Sequence, residues 1–122
     1  MIARLSDHLT HMATSSETLW LSIKAAGSDE QRQLVSAMRH AVESATSHFQ
    51  KPVPDGRGED FFMWRHEAIR PVSLCINSAE LLLTDEDHPL DADQCASAQA
   101  ILENALVITA LLNDMFDQRL IS

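Results

Sequence analysis

Apolar side chains recur at alternating three- and four-residue steps along the first part of the chain, which is the spacing of one stripe on a bundle helix. Members of this stripe are Ile2, Leu5, Leu9, Met12, Ser16, Leu19, Ile23 and Ala26. The pattern predicts a helix over about 2–26, and Gly27 favours an end at that point. A capping-box sequence at residues 14–17 leaves open a break inside the helix.

Capping and helix-breaking residues divide the rest of the chain. Ser28 followed by Gln31 is a capping-box sequence, which predicts the start of a second helix. Residues 51–58 hold two prolines and two glycines, and these cannot continue a helix. The sequence therefore predicts an N-terminal helical hairpin over 1–50, a linker over 51–58 and a second hairpin over 59–122.

The second hairpin carries two apolar stripes, separated by an acidic turn at 84–89. The stripe of the third helix is Ala68, Val72, Cys75, Ala79 and Leu82. Asp91 caps the fourth helix, whose stripe is Ala98, Ile101, Ala105, Ile108, Leu112 and Met115. Other faces of the fourth helix are also apolar, through Leu102, Leu106, Val107, Leu111, Phe116 and Leu120. A helix with so much apolar surface needs neighbours on more than one side.

Four amphipathic helices predict an all-α fold, in which antiparallel helical hairpins form a four-helix bundle. Two arrangements would cover the surplus apolar surface of the fourth helix. The N-terminal helices could pack on it, or a second copy of the chain could. We expect a homodimer through the third and fourth helices.

Composition and charge narrow the classes of function. The formal net charge of −9 argues against a nucleic-acid binder, which needs a basic face. No apolar run approaches the roughly 20 residues that span a bilayer, so we expect no membrane span and a cytoplasmic protein. Cys75 and Cys95 stand alone in apolar helical patterns. Two free thiols fit them better than a disulfide.

His66 lies on a polar face of the third helix. It is about 200° around the helix from Ala68, which belongs to the apolar stripe. The residues that share its face are also polar: Arg70, Ser73, Asn77 and Glu80. His66 should therefore face solvent or a partner, where a neutral imidazole can act as a nucleophile towards phosphorus. Glu67 is next to it and could orient the ring or take its proton.

The residues around His66 resemble a known family motif. Residues 65–72 read Arg-His-Glu-Ala-Ile-Arg-Pro-Val. They resemble the H-box of the dimerisation and histidine-phosphotransfer domain of bacterial two-component histidine kinases, in which His-Glu-Leu-Arg-Thr-Pro-Leu is typical. Residues 73–83 are similar to the family's continuation. Residues 111–117, Leu-Leu-Asn-Asp-Met-Phe-Asp, are similar to the Leu-Ile-Asn-Asp-Leu-Leu-Asp that closes the second family helix. The resemblance covers roughly half the chain.

This resemblance implies a hairpin that pairs with a second copy into a four-helix bundle. It implies a phosphoryl group accepted on His66 and passed to an aspartate of a response-regulator receiver domain. Receiver domains and histidine kinases are therefore the expected partners. Pro71 matches the family proline, and a proline at this place should bend the helix axis just past the histidine.

Two positions depart from the family pattern. Ile69 stands in place of the family arginine, and Arg70 stands in place of a small polar residue that positions water for dephosphorylation of the regulator. Arg70 could instead hold a phosphate, or pair with Glu67 or Glu80. Nothing in the chain resembles the family's ATP-binding domain. We therefore expect no autonomous ATP-dependent kinase, and a partner would supply the phosphoryl group.

Phe61 and Trp64 precede the histidine, and two interpretations of them stay open. They could form core at the end of the bundle, which large aromatic residues favour. Alternatively, they could join Ser73 and Asn77 in a surface on which a receiver domain docks. We expect no metal and no cofactor. His66 and Glu67 begin a zinc-protease-like string, but Arg70 stands where its second histidine is required.

A function of another class competes with phosphotransfer. The chain could be a degenerate, non-phosphorylated helical dimer that binds a histidine kinase or response regulator as a scaffold or inhibitor. The changes at Ile69 and Arg70 favour this alternative, whereas His66, Glu67 and Pro71 favour phosphotransfer. A third possibility is a piece of a longer sensor, in which residues 1–50 receive the signal.

Overall fold

Four α-helices make up most of the computed structural model, which describes residues 2–55 and 58–121. The helices are α1 (Ile2–Ala26), α2 (Asp29–Phe49), α3 (Glu59–Thr84) and α4 (Ala92–Ile121). No strand occurs in these two ranges. The predicted all-α fold is confirmed, and α1 runs through residues 14–17 without the break that was left open.

The α1–α2 turn forms as its residue types predict. The Gly27 amide donates to the Ile23 carbonyl at 2.7 Å, and a Cβ at Gly27 would come within 2.6 Å of Ile23 Cγ2. The Ser28 hydroxyl accepts from the Gln31 amide at 3.1 Å, and Gln31 Oε1 accepts from the Ser28 amide at 2.9 Å. These two bonds are the predicted capping box. Gln31 Nε2 also donates to the His88 carbonyl at 2.8 Å, so the α2 N-terminus is tied to the α3–α4 loop.

The start of α4 is held by an equivalent pair of bonds. The Gln94 amide donates to Asp91 Oδ1 at 2.8 Å, and Gln94 Oε1 accepts from the Asp91 amide at 3.0 Å. Gln94 Nε2 then donates to the Ser22 hydroxyl at 2.8 Å. The predicted cap at Asp91 is therefore present, and through Ser22 it also fixes α4 against the end of α1.

The four helices form a closed ring in which each helix packs on two others. α1 lies between α2 and α4, and α3 also lies between α2 and α4. The apolar stripes predicted for α3 and α4 are buried except for Met115, which is half-buried. The core thus belongs to one chain, and the predicted four-helix bundle is confirmed.

Part of the surplus apolar surface of α4 is covered within the chain. Leu111 is buried, and Phe116 is half-buried with its ring against Phe62 and Arg65 of α3. Leu106 and Val107 remain exposed. Leu120 lies outside the residues whose side chains the structure describes. A single chain therefore covers part of the face that the sequence assigned to either the N-terminal hairpin or a second copy.

α4 also has the length and composition of a bilayer-crossing helix. Within its segment 92–118, one 18-residue window has a mean hydropathy of 1.5. The core helix of a soluble bundle can pass the same test. Here the buried stripe of α4 packs on α1 and α3.

Both cysteines carry free thiols, as predicted; of the two, Cys75 is buried as expected and Cys95 is only half-buried. Cys75 is buried, and its Sγ lies 3.8 Å from the Met38 carbonyl oxygen, to which the S–H can donate. Desolvation raises the pKa of the Cys75 thiol to about 12. Only a thiolate reacts quickly with alkylating reagents, so burial and this raised pKa both protect Cys75.

We expect Cys75 to resist iodoacetamide in the folded protein and to react once urea unfolds the chain. Peptide mass spectrometry after timed labelling measures both rates. An equal rate in the two states would contradict the buried, protonated thiol.

Burial also predicts a pH effect. The thiol of the unfolded chain has a pKa near 9.0, whereas the folded thiol keeps its proton at that pH. The contribution of Cys75 to the free energy of unfolding should therefore fall as the pH rises from 9.0 towards about 12. The Cys75→Ala protein should not show this fall.

Candidate functional site

His66 is exposed on α3, as its helical position predicts. Arg70, Ser73 and Asn77 are exposed on the same helix. They follow His66 at intervals of four, three and four residues, which keeps neighbouring members about one turn apart on one face. The predicted polar face is therefore accessible to a partner over about three turns of α3.

The Glu67 carboxylate contacts a different histidine from the one that precedes it. His48 of α2 is buried, and its Nδ1 lies 3.7 Å from Glu67 Oε2. His48 Nε2 lies 2.8 Å from the Trp64 carbonyl oxygen, so this nitrogen carries the proton and donates it. In the structure the Glu67 carboxylate is near His48. Its role as base or orienter for His66 stays a prediction.

His48 was missed by the sequence analysis, although its position carried a usable signal. It follows Ala41 and Ala45 at steps of four and three, which continues the apolar stripe of α2. Its ring centroid lies 5.2 Å from that of Trp64 and 6.0 Å from that of Phe49. A histidine on a core stripe should be buried with a hydrogen-bond partner, and the Trp64 carbonyl is that partner.

Arg70 makes no hydrogen bond or ion pair with any residue that the structure describes, so neither Glu67 nor Glu80 neutralises it. Its guanidinium therefore remains available for an anion. Pro71 follows it inside α3, which continues to Thr84. The missing Pro71 N–H removes the usual donor to the Glu67 carbonyl.

Arg65 fixes the register of α3 against α4 beside the candidate site. Its guanidinium donates to Asn113 Oδ1 and lies 4.9 Å from the centroid of the Phe116 ring. Phe62 also packs on Phe116, with centroids 5.3 Å apart. These contacts place His66 opposite the last third of α4. Nothing in the sequence predicted this anchoring role of Arg65.

Phe61 and Trp64 do not form a partner surface, so that assignment is wrong. Phe61 is 0% exposed and Trp64 is 5% exposed. The two rings stack with centroids 6.3 Å apart, and Trp64 also packs edge-on against Phe49. Burial of this aromatic cluster closes the end of the core, which is the other interpretation that the sequence left open. Ser73 and Asn77 are exposed and remain candidates for partner contact.

An open groove of about 1140 Å³ runs between α2 and α3 beside this face. Arg70, Ser73 and Asn77 line its α3 side, and His66 lies outside it. Its α2 side carries hydroxyl groups and histidines, and its end is lined by Lys51. The described lining residues are Ala37, His40, Ala41, Ser44, Ser47, His48, Lys51, Glu67, Ile69, Arg70, Pro71, Ser73, Leu74, Asn77 and Ser78.

The chain matches no protein-family model, no curated protein and no solved structure. Within residues 2–55 and 58–121, no three side chains of the His, Cys, Asp and Glu types come together as a metal site. The features that bear on function are therefore His66, its neighbours on α3 and the groove beside them.

Proposed function

We propose that this protein is a histidine-phosphotransfer module of two-component signalling, with His66 as the phosphoryl acceptor. The observation that carries the proposal is the exposed imidazole of His66 on a rigid bundle helix, with the unpaired guanidinium of Arg70 one turn away. An accessible imidazole is a nucleophile at neutral pH, and an arginine beside it can bind phosphate oxygens.

The transfer step needs only chemistry that a receiver domain brings. A ring nitrogen of His66 attacks the phosphorus of an aspartyl phosphate in line. A P–N bond forms while the P–O bond to the receiver's aspartate breaks, and that aspartate leaves as a carboxylate. The second ring nitrogen can release its proton to solvent. Arg70 would offset the charge of the phosphoryl oxygens during this transfer.

The resemblance of residues 65–72 and 111–117 to the kinase dimerisation domain also supports the proposal. In that family a second copy completes the bundle. Here α1 and α2 occupy the positions beside α3 and α4 within the same chain. A bundle of this kind can present His66 without a partner subunit.

The test is phosphoryl uptake from a phosphorylated receiver domain. Purified receivers phosphorylated with acetyl phosphate would be mixed with the protein, and acid-labile phosphate on the protein would be measured. Phosphate that appears on His66 supports the proposal. Phosphate that stays on every receiver tested, under conditions where an established phosphotransfer protein removes it, contradicts it.

A binding function without phosphorylation is the second candidate, and one contact favours it. The Glu67 carboxylate lies beside His48, 3.7 Å from Nδ1, so it is engaged away from His66. A protein that only binds a kinase or regulator needs no carboxylate at the exposed histidine. This candidate predicts partner binding that is unchanged when the imidazole of His66 is removed.

We also expect this protein to form a homodimer through α3 and α4. Leu106 is 50% exposed on α4 and Val107 is next to it, and burial of both in an interface would be favourable. Sedimentation velocity at micromolar concentration should show a dimer, and Leu106→Glu should shift it to the monomer. Leu21→Glu on α1 is the matched control and should leave the dimer intact. A wild-type monomer would contradict this prediction.

A further inference from the structure

The groove between α2 and α3 concentrates positive charge on an acidic protein. The chain has a formal net charge of −9, yet Lys51 and Arg70 both line the groove. Neither side chain makes a hydrogen bond or ion pair with a described residue. His40 adds a third group that can carry positive charge. The groove is therefore a local site for anions on a surface that otherwise repels them.

Glu67 is the one carboxylate among the described residues that line the groove. Its carboxylate is half-exposed and lies 3.7 Å from His48 Nδ1, and it forms no ion pair with Lys51 or Arg70. By contrast, Arg32 and Arg39 elsewhere on the bundle are paired with Asp29 and Glu17. The two groove cations thus stay available to a ligand.

The length of the groove favours an extended ligand. His40 lies on α2, and Lys51 lies just beyond its end. The two residues are eleven positions apart, which is roughly 16 Å along a helix axis. A single phosphate cannot reach both groups. The groove spans Ala37 to Lys51, about 21 Å, which is the length of about six extended residues.

The floor and rim of the groove add chemistry that fits a peptide. Ala37, Ala41, Pro71 and Leu74 give it an apolar floor, and Leu74 is 40% exposed. Hydroxyl groups of the groove serines can bond to peptide amides and carbonyls; these residues are Ser44, Ser47, Ser73 and Ser78. Histidine is the one aromatic residue type among the described residues that line the groove, so they do not supply the stacking platform that single-stranded nucleic acids use.

We propose that the α2–α3 groove binds an extended, acidic segment of a protein partner, with carboxylates at Arg70 and Lys51 and small apolar side chains on the floor. The groove does not include His66 and its binding does not need phosphorylation, although Arg70 belongs both to this groove and to the proposed phosphotransfer site. Charge complementarity specifies the segment, since Lys51 and Arg70 outnumber the one carboxylate, Glu67, among the described groove residues and therefore favour carboxylates over a neutral or basic segment.

The probe for this proposal is a fluorescein-labelled peptide of about eight residues that alternates glutamate and alanine, long enough to fill the groove. Its binding is followed by fluorescence anisotropy. The wild type should bind it, and the same peptide with glutamine for glutamate should bind at least about tenfold more weakly. An oligothymidylate of similar length is the competing anion.

Lys51→Glu should weaken binding of the glutamate peptide by about tenfold or more, because it places a negative charge in the groove. Lys51 lies beyond the end of α2, so the change leaves the helices and the core alone. Lys24→Glu is the matched control, since Lys24 is exposed on α1 and does not line the groove. It should bind like the wild type. His66→Gln should also bind like the wild type, which separates this proposal from phosphotransfer.

Four results would overturn the proposal. The first is that the wild type does not bind the glutamate peptide, and the second is that it binds the glutamine peptide equally well. The third is an equal loss of binding in Lys24→Glu and Lys51→Glu. The fourth is displacement of the labelled peptide by the oligothymidylate at a lower concentration than the unlabelled glutamate peptide requires. Phosphate uptake on His66 changes none of these criteria, so either proposal can fail alone.

Discussion

The His66→Gln protein is expected to take up no phosphate from any receiver domain that phosphorylates the wild type. Glutamine keeps a polar side chain of similar reach but has no nucleophilic ring nitrogen. His66 is exposed on α3, so its loss should not disturb the core. Acid-labile phosphate on the protein is the measurement, together with circular dichroism to show that the helices are unchanged.

His11→Gln is the matched control for this experiment. His11 is also an exposed helical histidine, but it lies on α1. This variant should keep the full phosphate uptake of the wild type. Uptake that persists in His66→Gln would place the acceptor on another residue. Normal signalling by His66→Gln in cells, with partner binding retained, would favour the scaffold or inhibitor.

The second large effect concerns stability. Leu112 is 1% exposed on the inner stripe of α4, where it belongs to the core that α1 and α3 share with α4. Leu112→Ala removes buried apolar surface and leaves a cavity, so it should lower the free energy of unfolding by roughly 2–5 kcal/mol. Urea unfolding at one fixed protein concentration measures the change, since a dimer would make stability depend on concentration.

Leu21→Ala provides the comparison for Leu112→Ala. Leu21 is 55% exposed on α1, so the same truncation should change the free energy of unfolding by no more than about 0.5 kcal/mol. A loss below about 1 kcal/mol for Leu112→Ala would mean that the buried stripe of α4 is misplaced. A large loss for Leu21→Ala would point to an interface over α1.

Helix ends and inner stripes could be predicted from the sequence because local physics decides them. Gly27 and Ser28 separate α1 from α2 through a close backbone approach and a capping box, both of which depend on neighbouring residues. The inner stripe of α3, including Cys75, follows from helical period alone. These signals lie within a few residues of the feature they predict.

Contacts between distant residues were the part that the sequence could not supply. His48 and Glu67 are nineteen positions apart, and only the packing of α2 on α3 brings the carboxylate to the imidazole. Burial of Leu111 depends on which helices pack on α4, and no local pattern encodes that. Phe61 and Trp64 suit either a core or a docking surface by residue type, and their burial decided between the two.

The up-and-down course of the chain brings its two ends to the same end of the bundle. The His8 ring contacts Asn104 in the middle of α4, and Ser22 near the end of α1 contacts Gln94 near the start of α4. The two helices are therefore antiparallel, and the start of α1 points to the end at which α4 finishes. The Arg65–Asn113 contact places His66 at that end as well, roughly 12 Å along the axis from Ile121. A receiver domain joined to either end by a short linker would therefore start beside His66. The tether would replace diffusion with a high effective concentration, and a transfer between free proteins would become a step within one molecule.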